Sequence, residues 1–169
     1  VYEAGKFSRE RVFAVDGMAV TAEIWNAAHD YHRQMLSASI RAVQGNGIIE
    51  GLHVYAATPA NPQSIHIDPG VAVDNLGRII VNPELLTHNL RDQIGLVYLI
   101  LMADEESITP SRANDQSDGS PKHKRSEFFV RALTELPTEP YVELARIRRN
   151  DISLAIKNAT DAEQAGAQE

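Results

Sequence analysis

Val20 to Gly47 reads VTAEIWNAAHDYHRQMLSASIRAVQGNG, and the architecture of the chain turns on how this stretch is taken. It has the marks of one long helix. Thr21 suits the N-cap, Val20 and Trp25 stand at staple spacing across it, and Glu23 lies in the first turn, where the helix dipole favours an anion. Gly45 and Gly47 supply a left-handed stop, and no Pro or Gly interrupts the interior. Ile24, Ala28, Tyr31, Met35, Ala38 and Ala42 step by alternating fours and threes, the spacing of a narrow seam between helices. A second stripe holds Trp25, Leu36, Ile40 and Val43, with His29 and His32 among them. Two apolar stripes allow two arrangements: both lie in a groove of the same domain, or one packs at home and the other meets another subunit.

Working outward, residues 1–19 form an approaching arm. Phe7, Val12, Phe13 and Val15 are apolar, a short strand is expected at Arg11–Val15, and Asp16-Gly17 marks a turn. Past the helix the apolar period drops from 3.6 to 2. A half-buried strand is expected over Ile48–Ala56, with Leu52, Val54 and Ala56 on one face and His53 and Tyr55 on the other. Ser64–Asp68 alternates with Ile65 and Ile67 inward, and Val71–Val73 with Arg78–Val81 reads as a hairpin. Glu84–Arg91 reads as a helical turn or a loop. Leu96–Ala103 is almost continuously apolar, the pattern of a central strand covered on both faces. Residues 104–125 are polar and read as a long loop. Glu127–Leu133 and Tyr141–Arg148 return to strand, the latter with an irregularity near Ala145, and Ile152–Ile156 is a last short strand.

These signals describe an α+β chain: one long N-terminal helix followed by an antiparallel β-sandwich or open barrel of about seven short strands. The expected divisions are an arm with a docking helix at 1–47, a β domain at 48–157 and a polar tail at 158–169.

With 169 residues, 43% apolar and 23% charged, the chain has the composition of one globular domain with a real core. A net charge of −7 disfavours nucleic acid or an anionic membrane as the main partner. The absence of cysteine excludes disulfides, a thiol nucleophile and a thiolate metal site. No apolar run is long enough to span a bilayer, and no signal-peptide pattern is visible. The expected setting is the cytoplasm or an assembled extracellular or virion-like particle.

The candidate chemistry is sparse. His29 and His32 share a helix face but lack a third ligand, so they read as structural rather than as a metal site. His53, Tyr55 and His66 offer a ligand face, weighed against the solvated outside of a sheet. Asp104-Glu105-Glu106 reads as strand-end solvation and Lys122–Arg125 as a solvated basic run. Asp115–Gly119 lacks the closing Glu of a calcium loop. No nucleophile–base pair and no phosphate loop is present, so neither catalytic residue, cofactor nor metal is expected.

Two stretches together carry a family likeness. Phe13 to Arg33 runs from Asp16-Gly17-Met18 through Trp25-Asn26 to Tyr31-His32-Arg33. Gly47-Ile48-Ile49-Glu50-Gly51-Leu52-His53-Val54 is followed by Pro69-Gly70-Val71-Ala72-Val73-Asp74 and Gly77-Arg78-Ile79-Ile80-Val81. This resembles the N-terminal module of phage-tail-like, contractile-injection-system baseplate or tail-fibre proteins. The resemblance covers about half the chain and implies a non-catalytic, multimeric structural subunit. Its partners would be other protein subunits, in a homo-oligomer or a hetero-assembly. A carbohydrate- or other ligand-binding β module is the alternative. The interface residues are then expected on the helix: Ile24, Trp25, Tyr31, Met35, Leu36, Ile40 and Val43.

Overall fold

The structure is a computed structural model describing residues 10–57, 61–90, 93–110, 122–151 and 155–158. The expected helix forms as α1 (Ala22–Gln44), with Thr21 as N-cap and Gly45 closing the other end through its N–H to the Arg41 carbonyl. Nine strands follow among the described residues: β1 (Gly47–Gly51), β2 (Val54–Ala56), β3 (Ser64–Ile67), β4 (Gly70–Val73), β5 (Ile79–Asn82), β6 (Leu86–Asn89), β7 (Gly95–Pro110), β8 (Lys122–Leu133) and β9 (Val142–Arg149).

They make three antiparallel sheets of three strands, ordered β1-β4-β5, β2-β3-β6 and β8-β7-β9. The sheets are not closed. One core joins all three: Ala72 and Ile80 from the first, Ile65 and Ile67 from the second, Val97, Leu99, Leu101, Ala132 and Val142 from the third, with Leu52 and Leu90 between. The apolar run of Leu96–Ala103 is the heart of central β7, and Leu99 and Ile100 are both fully buried.

The first two sheets are two ends of one ribbon. β1 pairs with β4, and β2 pairs with β3, so the same two lengths of chain pass through both sheets. They bend together at the corner. Leu52 adopts φ +56, its N–H bonds the Pro69 carbonyl, and the Asp68 N–H bonds the His53 carbonyl. A corner of this kind is how a strand changes sheets. Gly51 and Gly70 face each other there, and a Cβ on either would overlap the opposite backbone. The single strand expected over 48–56 is therefore two, because Leu52 leaves the extended region to enter the core.

Other differences have equally local causes. No strand forms at Arg11–Val15; the Asp16-Gly17 turn does, with the Met18 N–H on the Val15 carbonyl. Glu84–Arg91 is neither helix nor loop at its centre, since Leu86–Asn89 pairs with β3 as β6. Of the polar stretch expected as a loop from 104 to 125, the two described ends instead prolong strands, whose pairing runs out to Pro110↔Lys122 past a register shift between Asp104 and Ser107, and residues 111–121, with the Asp115–Gly119 run, lie outside the described residues. The irregularity expected near Ala145 is real: Leu144 is an extra residue on β9 between the partners of Leu99 and Ile100. Ile152–Leu154 lies outside the described residues, 155–158 forms no strand, and the Ile156 N–H bonds the Pro62 carbonyl.

The β4–β5 hairpin turns on Asp74. Its carboxylate is fully buried and accepts from the N–H groups of Leu76 and Arg78, both at 2.9 Å, and from Arg78 Nε at 2.6 Å. A buried carboxylate is tolerated when its lone pairs are filled in this way. Gly77 completes the turn at φ +80.

Candidate functional site

α1 has 23 residues and none is buried. Its start follows from the cap: Thr21 Oγ1 accepts from the Ile24 N–H at 3.3 Å. The helix meets the sheets where Gly77 of the β4–β5 turn abuts the Ser37 carbonyl so closely that a Cβ would overlap it. Ser37, Ala38, Ile40 and Arg41 are half-buried in this half of the helix.

The two stripes are treated differently. On the seam, Ile24, Ala28, Tyr31 and Ala38 are half-buried, while Met35 and Ala42 are exposed. On the second stripe Ile40 is half-buried, but Trp25, Leu36 and Val43 are 60%, 58% and 84% exposed. The arm adds Phe13 at 76%, with Val15 and Val20 also exposed. On β5, Ile79 and Val81 turn outward too. An apolar side chain gains about 1.5–3 kcal/mol when fully buried, and soluble surfaces that forgo several such gains together commonly mark interaction sites.

The helix histidines are occupied by local bonds or stacking. His29 Nδ1 lies 2.9 Å from the Trp25 carbonyl and its ring stacks obliquely on Trp25 at 4.8 Å. The His32 ring meets Tyr31 edge-on at 5.7 Å. Among the described residues no group of three or more potential ligands is arranged to hold a metal ion.

The β face brings its expected residues together. Tyr55 and His66 are cross-strand neighbours, and Thr87 follows His66 in register on β6. The Tyr55 and His66 rings are 5.5 Å apart, and His66 Nδ1 lies 3.0 Å from Thr87 Oγ1. The Tyr55 hydroxyl donates to Asp68 Oδ1 at 3.2 Å, and His53 Nδ1 stands 3.8 Å from Asp68 Oδ2. Desolvation, then the hydrogen bond to Asp68 and that carboxylate's charge, hold the Tyr55 phenol above its ordinary range. Asp104 is exposed within β7, paired with Glu127, and not at a strand end as expected, and the side chains of Glu105, Glu106 and Lys122–Arg125 lie outside the described residues.

A cleft of about 350 Å³ lies between β6 and β8, lined by residues with little sequence signal. Its signal was the alternation of half-buried Leu86 and His88 with exposed Thr87 and Asn89, muted by their polarity.

No family model matches the chain, and no curated protein matches it. Solved structures do. The chain is similar to the crystal structure of TssK, with a TM-score of 0.57 at 14% identity over 89% of this chain and 41% of that one. It is similar to a chain of the type VI secretion system TssK-TssF-TssG baseplate subcomplex, with a TM-score of 0.59 at 10% identity over 90% and 60%. A chain of the baseplate complex from the type VI secretion system matches with a TM-score of 0.54 at 8% identity over 89% and 40%. This chain thus spans 40% to 60% of the length of these proteins. At such identities the likeness is one of fold, shared with these chains of TssK and of type VI secretion system baseplate structures.

Proposed function

We propose that this chain is a non-catalytic structural subunit, or a piece of one, in a baseplate-like assembly of the contractile-injection kind. It docks on neighbouring protein through the open stripe of α1 and the arm before it. The observation that carries this reading is a capped helix with no buried residue and Trp25, Leu36 and Val43 turned to solvent. The fold likeness to baseplate proteins supports the setting.

Photo-crosslinking from Leu36 and Val43, in the cells that make the protein, tests it. Crosslinks to protein are expected from both positions, and Leu36→Glu with Val43→Glu should release the partner while leaving circular dichroism unchanged. Silence at both positions, or unfolding by the double variant, sinks the reading.

The row Tyr55, His66 and Thr87 favours a second reading, a ligand face for a sugar, on which an aromatic plane flanked by hydrogen-bonding groups would stack. A saccharide-dependent thermal shift abolished by Tyr55→Ala would mark it out from the first.

A further inference from the structure

β6 and β8 are the outer strands of their sheets, and the cleft lies between them. The Leu90 N–H bonds the Gln63 carbonyl on the β3 side. By the two-residue alternation of an antiparallel ladder, Leu86 and His88 also point to β3, and the main chain of Thr87 turns to the cleft. Across the cleft, Gln93 Nε2 donates to the Ala132 carbonyl at 2.5 Å, so Ala132 and, two residues earlier, Val130 turn away from β7. Gln93 thus holds one outward carbonyl of the β8 edge. Its other amide atom, Oε1, is buried with no hydrogen-bond partner and belongs to a residue lining the same cavity. A buried amide oxygen without a donor is costly, and an incoming N–H relieves it.

We propose that the cleft between β6 and β8 binds an extended acidic segment of a partner protein by strand addition to the β8 edge. The main chain of Val130 gives the pairing, as exposed sheet edges do for added strands, while the Ala132 carbonyl stays with Gln93 and the Gln93 Oε1 accepts from the incoming segment. The sign of the side chains follows from the lining. Arg131, exposed beside Phe129 with its guanidinium 4.6 Å from the ring centre, is a fixed cation there, and no carboxylate is among the described lining residues. In a chain of net charge −7 this is a local inversion that selects acidic over basic segments. The inference does not depend on the α1 surface.

The test uses the full chain and two synthetic peptides, one alternating Glu and Val, the other Lys and Val. Amide hydrogen exchange should slow at Thr87 and Val130 with the acidic peptide and not with the basic one. Arg131→Glu should weaken the acidic peptide by at least about fivefold, the upper range of one exposed charge pair. Val130→Pro removes an outward N–H, a substitution edge strands accept, and should abolish binding with circular dichroism retained. No binding at millimolar peptide, protection mapping elsewhere, equal binding of the two peptides, or undiminished binding to Arg131→Glu would each overturn the proposal.

Discussion

At the scale of single residues, Asp74 is the position whose chemistry is most confined. Its carboxylate gathers two main-chain N–H groups and the Arg78 side chain with no water contact. Asp74→Ala leaves these donors facing a void, and urea denaturation should show a loss of about 3 kcal/mol. Asp74→Asn keeps an acceptor for the N–H groups and loses the ion pair, so its loss should be smaller. Tyr55 is confined in a different way. Because its phenol is raised above the ordinary range, the neutral form is favoured in the folded state. Its contribution to stability is present below the ordinary phenol range and disappears as pH climbs through the raised value. Ultraviolet titration should show one late-ionising phenol, absent in Tyr55→Phe.

Among elements, α1 depends most on one contact. Gly77→Ala must both strain a φ of +80 and push a methyl against the Ser37 carbonyl. Hydrogen exchange in α1 should quicken while β7 stays protected, and the melting temperature should fall. The helix was legible because both of its ends are local chemistry: Thr21 supplies the cap oxygen and Gly45 the stop. The β4–β5 hairpin was legible for the same reason, with Asp74 and Gly77 written into it. β6 was not, since Leu-Thr-His-Asn carries too little apolar contrast and owes its strand to pairing with β3. The outward course of β7 and β8 was hidden likewise: polar side chains describe solvent, while cross-strand pairing decides the backbone. Of the candidate site, the stripes could be read from spacing, but which stripe stays open depends on where Gly77 touches the helix.

For the whole molecule, one shared core makes the three sheets a single cooperative unit, whereas α1 lies outside it. The chain has one tryptophan, Trp25, and it is on the exposed stripe. Tryptophan emission should therefore be red-shifted in the isolated folded protein and shift little on denaturation, while the strands of the shared core lose their hydrogen-exchange protection together. Docking of the helix should move the emission to the blue. A blue-shifted isolated protein, with no change on adding its partners, would contradict the placement of Trp25. The paired course of β7 and β8 has another kind of consequence. Beyond Asp104, β7 continues for a length of about 20 Å at strand rise, joined among the described residues to β8 alone. Cross-strand bonds in such a ribbon lie at right angles to its long axis. A pull that parts the two strands at their outer ends loads these bonds in turn, one pair after another. A pull along the axis that slides one strand past the other loads them together. The ribbon is thus soft to peeling and stiff to sliding, and its mechanical strength is set by the direction of the load.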